Sequence, residues 1–506
     1  MNKRLKTLTA VMAASLIGTA SLPFTIPSVH AAAPAAASIS ATPSPSAASL
    51  LQELEAAMKD LLGMGIVHGY EDQSLRAFNR ITRAELAKMV VKTFDLDGKV
   101  QTPPSLSDVS ADAWYADYAS EVVGLGIMAA PSGQFNPNGT VTDDELVQIV
   151  AKALGRDVLS VKSWLDRHFS VSDNASRGEA AYLLRTAHKA IPSEQAKIKS
   201  VTALNAITLI VTFDKPLTAA NEAFDKAKAD FVFNDGLSLT NMPRLKTGSI
   251  ATYIVPTSVQ KAGTDYKLTY KGERAGSFIG SGTKLEMTKA TQVTNDTFEL
   301  ESLKANGVVD YGYVISAYSA GRGSNAFILD ERNQADGREY QVISSMQARS
   351  VTIAAEGGQP IVARYVPFTQ STDGRQEPKF RLPEGTVLTP GVKYTVTSDW
   401  ANIANASFVA ASVAPLEVVK AEATSETSIN VTLAQDPGDE LFSGRSVLLT
   451  APNGDKLTAT YKYSSRKGAV GVFDLPANTK LSAGTTYTAT PVGAWATAGQ
   501  VAFTTN

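Results

Sequence analysis

Three short segments combine a hydroxyl, a carboxylate and, in two of them, a cation at fixed spacing: Thr82-Arg-Ala-Glu85, Thr142-Asp-Asp-Glu145 and Ser176-Arg-Gly-Glu179. A Ser or Thr followed three residues later by Glu is the pattern of a capping box. The hydroxyl accepts from the third helical N–H, and the Glu returns to the cap's own N–H. Each segment is therefore expected to start a helix, with Thr82, Glu85, Thr142, Glu145, Ser176 and Glu179 in helix-capping roles. A helix N-terminus presents N–H groups and the positive end of the helix dipole. Arg83 or Arg177, one residue past its cap, adds a full charge aimed at the same volume. That combination suits an anion such as a carboxylate. Asp143 takes the arginine's place in the middle copy and would repel such a ligand.

Other chemistries are excluded or find no residues to carry them. The chain has no cysteine, so disulfides, thiol nucleophiles and cysteine metal sites are ruled out. Its four histidines are His30, His68, His168 and His188, so nothing from residue 189 onward can supply an imidazole to a Ser-His-Asp triad. His68 reads as polar loop surface. Asp436-Pro-Gly-Asp439-Glu440 has the residue types of a calcium loop but reads as a solvated acidic turn, and Tyr311, Tyr313 and Tyr318 read as packing residues. No cofactor or metal is expected, and no enzymatic activity. With 47 Lys+Arg against 49 Asp+Glu, the formal charge is -2. Such a chain has no overall field to draw nucleic acid or anionic lipid, and a charged partner must meet a local patch.

The elements that position the three segments repeat with them. Apolar residues follow each cap at the same offsets: Leu86, Met89 and Val90; Leu146, Ile149 and Val150; Ala180, Leu183 and Leu184. One buried stripe carried three times is an internal repeat. Ahead of the first cap stands Gly65-Ile-Val-His-Gly69-Tyr-Glu-Asp72, and ahead of the second Gly126-Ile-Met, with Ala130 where Gly69 would align. In both, a helix stops at glycine and a loop leads to the next cap. The second copy adds Asp108-Val109 and Trp114, and the third has a shortened loop between Trp164 and Ser176. Trp114 and Trp164 are expected to pack in a core or a groove wall ahead of stacking on a sugar.

The ends of the chain read differently. Lys3, Arg4 and Lys6, an apolar stretch from Leu8, and small residues around Ala31 give residues 1–31 the pattern of a secretory signal. Residues 32–49, Ala/Pro/Ser-rich and uncharged, read as a flexible linker. No later stretch has the ~20 apolar residues of a membrane span. Past Pro192 the sequence turns to Thr-rich alternation, as in Ile207-Thr-Leu-Ile-Val-Thr-Phe213, which predicts strands of antiparallel sandwiches. Gly-x-x-Tyr-x-x-Thr occurs at Gly263/Tyr266/Thr269, Gly391/Tyr394/Thr397 and Gly484/Tyr487/Thr490, each tyrosine placed as a corner residue bonding back to the chain. Three β-domains are expected, at 196–290, 291–415 with insertions, and 416–506.

The segment Gly65-Ile66-Val67-x-Gly69-Tyr70-x-Asp72, with Ile81-Thr82-Arg83-Ala84-Glu85 and with Asp108-Val109, Trp114 and Gly126-Ile127, resembles the S-layer homology (SLH) domains of Gram-positive-type surface proteins. The resemblance spans 50–192, as repeats of about 50–99, 105–155 and 156–192. It implies an all-α three-repeat bundle whose grooves bind secondary cell-wall polysaccharide, often through an acidic, pyruvylated terminal sugar. Carried over to this chain, the binding residues are Arg83, Gly69, Asp72, Arg177 and Trp114. The β-segments resemble bacterial Ig-like modules. The expected fold is thus an all-α SLH bundle followed by all-β Ig-like sandwiches. The expected function is that of an exported S-layer or S-layer-like structural protein at the cell-wall surface, with self-association of the β-domains. The alternative reading is a wall-anchored adhesin or glycan-binding protein.

Overall fold

The computed structural model describes residues 47–166, 174–301, 308–310, 328–335, 337–367, 377–437 and 441–506. The expected signal segment, nearly all of the linker, the shortened loop of the third repeat, Tyr311, Tyr313, Tyr318, Asp439 and Glu440 lie outside the described residues.

Among the described residues six α-helices precede residue 190: α1 (Ala47–Gly63), α2 (Arg83–Phe94), α3 (Ala116–Gly124), α4 (Asp143–Leu154), α5 (Val158–Asp166) and α6 (Arg177–Lys189). The caps start them as expected, with Thr82, Thr142 and Ser176 each accepting from the N–H three residues on. The capping box closes in both directions at α2 and α6. At α4 only the hydroxyl half is present, a departure from the expected three boxes. Helix α4 stops at Gly155, whose φ of 66° is open to glycine at little cost. The nine stripe residues from Leu86 to Leu184 are all buried, in one core shared with Leu54, Met58 and Leu61 of α1. Among the described residues no helix is long and apolar enough to cross a membrane.

The expectation of an all-α bundle followed by all-β sandwiches does not hold. The chain is mostly β, and its helices are few and short. In the N-terminal region the longest helix has 17 residues and the helices after it 9 to 13. The connecting segments are extended and pair as β-bridges, Arg80 with Ser176 and Thr82 with Thr140. The reason lies in each repeat's own punctuation, since glycine stops and caps leave two short helices per repeat, most of them about three turns long, and the intervening backbone must find partners elsewhere. The first β-region is not all-β either. Helices α7 (Ala219–Glu222) and α8 (Phe224–Asp230) sit between its strands.

That first region holds a four-stranded sheet, ordered 198–205, 208–213, 252–256, 244–245, and a three-stranded one of 231–233, 265–270 and 273–279. Leu209, Val211 and Tyr253 from one and Tyr266, Leu268 and Phe278 from the other share a core. It meets the N-terminal region directly: the Trp164 indole N–H donates to Gly248 O at 2.9 Å, and the Gly248 N–H donates to Ser160 Oγ at 2.9 Å.

Apart from two small two-stranded pairings, 308–310 with 341–343 and 334–335 with 338–339, the remaining described strands form two eight-stranded sheets with the same strand order. In the last, 496–498 pairs with 416–423, followed by 428–433, 470–474, 456–461, 446–450, 486–491 and 501–504. The two outermost strands are neighbours in sequence, Ala496–Ala498 and Val501–Thr504, so the edges of the sheet come together and it wraps round its own core. Strands 416–423 and 496–498 run parallel, as do 285–292 and 401–405 in the preceding sheet, against the antiparallel expectation. Trp400 and Trp495 occupy matching places before the closing strand. Both are buried, and both donate the indole N–H to the first carbonyl of a facing strand, Ser350 at 2.9 Å and Ser446 at 3.2 Å.

The tyrosine repeat has the structural role its spacing suggests. Tyr266, Tyr394 and Tyr487 each accept a hydrogen bond from the backbone N–H five residues upstream, at Lys261 (2.9 Å), Thr389 (3.0 Å) and Ser482 (3.0 Å). Gly263, Gly391 and Gly484 have φ of 76°, 80° and 64°, which explains the glycine of the motif. Tyr487→Phe removes the acceptor for the Ser482 N–H and should cost about 1 kcal/mol, read as a lowered urea midpoint for Trp495 fluorescence.

The two wrapped sheets are joined by a bidentate pair, Arg445 Nη1 and Nη2 to Asp296 at 2.6 and 2.8 Å. Burial alone would raise the Asp296 carboxyl, but the hydrogen bonds and charge of Arg445 outweigh it and hold the carboxyl down to about 2. A depressed carboxylate stabilises the fold above its unfolded value, roughly pH 4, and loses that contribution as pH falls toward its folded value. The contact between these two regions should therefore survive to pH 4 and weaken progressively towards pH 2, measured by limited proteolysis across an acid titration.

Candidate functional site

Ile81, Val141 and Ala175, the residues immediately before the three caps, are fully buried. Their backbones join one another: the Ile81 N–H donates to Ala175 O at 3.0 Å, the Ala175 N–H to Val141 O at 2.8 Å, and Thr82 bridges Thr140. This triangle brings the starts of α2, α4 and α6 to one place. It also uses the N–H groups expected to face an anion. The Arg83 and Ala84 N–H groups donate to Gly139 O and Pro137 O at 2.9 and 3.0 Å, and those of Arg177 and Gly178 to Asn79 O and Ala77 O at 2.9 and 2.8 Å. The approach at α6 demands glycine, since a Cβ on Gly178 would stand 3.0 Å from Ala77 O and 3.1 Å from Leu54 Cβ. The starts of α2 and α6 are therefore joints between repeats, and an anion there must be met by side chains.

The arginines cross the same joints. Arg83 is buried; its Nη1 pairs with Glu145, the cap carboxylate of the second repeat, while Nε donates to Phe135 O at 2.7 Å and Nη2 to Ala129 O at 2.6 Å. Arg177 makes the equivalent reach from the third repeat to the first, with Nη1 2.6 Å from Glu85 Oε1 and Nε 3.3 Å from Leu75 O. Glu145, engaged by Arg83, does not close its own capping box. In the second repeat Asp143 stands at the arginine position, buried.

One joint opens into a groove of about 200 Å³. It is lined by His68, Gly69 and Tyr70 of the first repeat's loop, Glu85 and Lys88 of α2, Arg177 of α6 and Trp114 of the second repeat. Trp114 is 58% exposed, with Lys88 Nζ 5.9 Å from its ring centre. Glu85 organises the interior. Its Oε2 takes the Thr82 N–H at 3.0 Å, and its Oε1 takes the Tyr70 hydroxyl at 2.8 Å and Arg177. Burial pushes this carboxyl up, but the Thr82 and Tyr70 hydrogen bonds and the Arg177 charge hold it below its usual value, so it is ionised and balances Arg177. Lys88 has no acidic partner among the described residues, its nearest polar neighbour being His68 Nδ1 at 3.3 Å. Burial, with the like charges of Lys92 and Arg177, holds its ammonium below the ordinary value. An anion entering the groove would relieve that repulsion.

Of the residues singled out from sequence, Gly69, Arg177 and Trp114 meet here. Arg83 lies at the neighbouring joint. Asp72 is committed within its own loop, accepting from the Ser74 N–H at 3.0 Å and pairing with Arg76 at 3.3 Å, which lies 3.9 Å over the Tyr70 ring. Trp164 is buried at the contact with the first β-region. Sequence reasoning passed over Lys88, quoted Tyr70 only within the family motif and read His68 as polar loop surface. Lys88 is a lysine six residues past the cap, off the buried stripe, and only the groove distinguishes it from any solvated helical lysine.

Residues 53–87 and 105–142 match the family model of the S-layer homology domain. These two segments are S-layer homology repeats. The chain is 27% identical over 251 residues to the middle cell wall protein of Brevibacillus brevis, covering 45% of this chain and 24% of that protein. It is 31% identical over 106 residues to a surface layer protein of Brevibacillus choshinensis, covering 20% and 10%. It is also 29% identical over 108 residues to an uncharacterised cell wall amidase of Bacillus anthracis, covering 21% and 20%. The chain thus spans about a quarter or less of the length of these curated relatives. Among solved structures, the S-layer protein rSbsC is 13% identical, covering 90% of this chain and 72% of that one at a TM-score of 0.15. Within the S-layer homology repeats Arg83 is a joint, and Arg83→Ala should destabilise the chain by at least about 2 kcal/mol, seen as a lower urea midpoint in circular dichroism at 222 nm.

Proposed function

We propose that this chain is a structural protein of the cell surface, an S-layer or S-layer-like protein held non-covalently to the wall by its S-layer homology repeats. The ligand is secondary cell-wall polysaccharide with an acidic terminal sugar, seated in the groove of His68, Gly69, Lys88, Trp114 and Arg177. The observation that carries this reading is Lys88, a cation with no acidic partner among the described residues, lining a groove together with an exposed tryptophan. A carboxylate would pair with Lys88 and Arg177, and the sugar ring would lie against Trp114. On this reading Gly69 keeps the groove wall low, and Arg83 serves assembly of the repeats. The equivalent joint at Arg83 has Ala129 and Ala130 in place of His68 and Gly69 and Gln148 in place of Lys88, and it takes no part in binding.

The β-regions, with proposed boundaries at 196–290, 291–415 and 416–506, project from the wall and supply the surface for self-association. The relatives' names favour a structural over a catalytic role, and the similarity to an amidase is confined to 21% of the chain.

The full-length chain should sediment with purified wall sacculi and cease to do so once the secondary polysaccharide is extracted. Lys88→Gln and Trp114→Ala, both at positions outside the core, should each weaken binding about tenfold or more with unchanged circular dichroism. Undiminished binding to extracted sacculi, or by both variants, would sink the proposal.

A further inference from the structure

The contact between the two wrapped sheets encloses chemistry that the wall groove does not use. A pocket of about 350 Å³ lies there, between strand 361–365 and residues 381–385 of one region and residues 444–446 and 492–494 of the other. That volume falls within the range of small-ligand sites. Its walls are built by close approaches. A Cβ on Gly493 would stand 3.0 Å from Glu384 Cγ, and one on Gly444 3.3 Å from Arg381 Nη1; both glycines have positive φ, of 84° and 70°. Asn295 Nδ2 donates to Ala494 O at 2.8 Å across the same contact. The two regions thus hold the pocket in a fixed shape.

Its charge is unbalanced. Arg445 and Asp296 satisfy each other in a bidentate pair. Arg381 is left facing neutral acceptors, with Nη1 2.6 Å from Ser443 O, Nη2 3.5 Å from Leu441 O and Nε 3.4 Å from Thr297 Oγ1. These account for three of the five N–H groups of a guanidinium. Arg364, exposed on the pocket wall, adds a second cation, while Glu384 at the rim is the one remaining acid of the lining. Burial, then the charge of Arg445, pushes Arg381 down to about 9, with the Asp296 charge opposing the shift only in part; among the described residues Arg381 forms no ion pair of its own.

We propose that this pocket binds a small oxyanion-bearing ligand, with Arg381 and Arg364 as the paired cations that receive a carboxylate, phosphate or sulfate group. A guanidinium presents its N–H groups as a planar fork matched to two oxygens of such an anion. The source is a free inorganic oxyanion or an acidic sugar, and the two differ in what else fills the pocket. Val362, 52% exposed on the same wall, is the residue a sugar ring would lie against.

The test is calorimetric titration of the full-length chain at low ionic strength with inorganic phosphate, with sulfate and with glucuronate. Saturable binding of at least one probe, at one site per chain, is expected. Tighter binding of glucuronate than of both inorganic ions marks a sugar site, and the reverse a free-oxyanion site. Arg364→Gln, which leaves the interface pair intact, should weaken binding at least tenfold with an unchanged melting temperature, and Val362→Trp should block glucuronate. Arg381→Gln should abolish binding of all three. Absence of saturable binding to every probe would overturn the proposal, and so would equal affinity in wild type, Arg364→Gln and Val362→Trp.

Discussion

Buried backbone must be hydrogen-bonded, and in the N-terminal region three extended segments meet that demand by bonding to each other. Ile81, Ala175 and Val141 sit where the repeats converge, and their amides and carbonyls have no helix of their own to join. Pairing across the repeats solves this and fixes the starts of α2, α4 and α6 at once. At α2 and α6 the first two helical N–H groups, ordinarily left to water or a ligand, are then taken up by neighbouring loops. Everything chemical in the region follows from that consumption, because only side chains remain to recognise a partner.

The side chains repeat the logic at the level of charge. A cap glutamate that closes its own helix start also receives an arginine from the adjacent repeat, so Glu85 serves Thr82, Tyr70 and Arg177 together. The same residue types yield different outcomes at different joints. Between the third and first repeats the glutamate and arginine balance and leave Lys88 as the net charge of an open groove. Between the first and second, Arg83 is buried against Glu145 and two carbonyls, with alanines in place of the histidine and glycine. Asp143 replaces an arginine with an acid, and its repeat keeps the helix while losing the cation.

The β-regions rely on small devices used repeatedly. A tyrosine hydroxyl accepts a backbone N–H five residues upstream, fixing the approach to a strand, and a buried tryptophan ties the closing strand to the strand it faces. Because the first and last strands of each wrapped sheet are neighbours in sequence, few edges stay open to unwanted pairing. What joins the two sheets is ionic and geometric, through Asp296 with Arg445 and through Gly444 and Gly493, and that leaves a cavity with an arginine on its wall.

Local rules were legible in the sequence wherever the cause is local. Helix starts at Thr82, Thr142 and Ser176, the stripe from Leu86 to Leu184, the glycines of positive φ and the tyrosine corners all depend on residues within a few positions of one another. They were readable for that reason. The fold class was misjudged because helix caps say where a helix begins and nothing about how much chain is spent between helices, and because parallel closing strands pair residues far apart in sequence. Of the residues expected to bind, Gly69, Arg177 and Trp114 meet in one groove, whereas Arg83, at the same motif position as Arg177, is engaged at a joint. Sequence alone determined which residues could carry charge, cap a helix or turn a corner. Only the tertiary structure decided which of those charges find partners, because Coulomb attraction and burial depend on distances between segments that the chain order does not set.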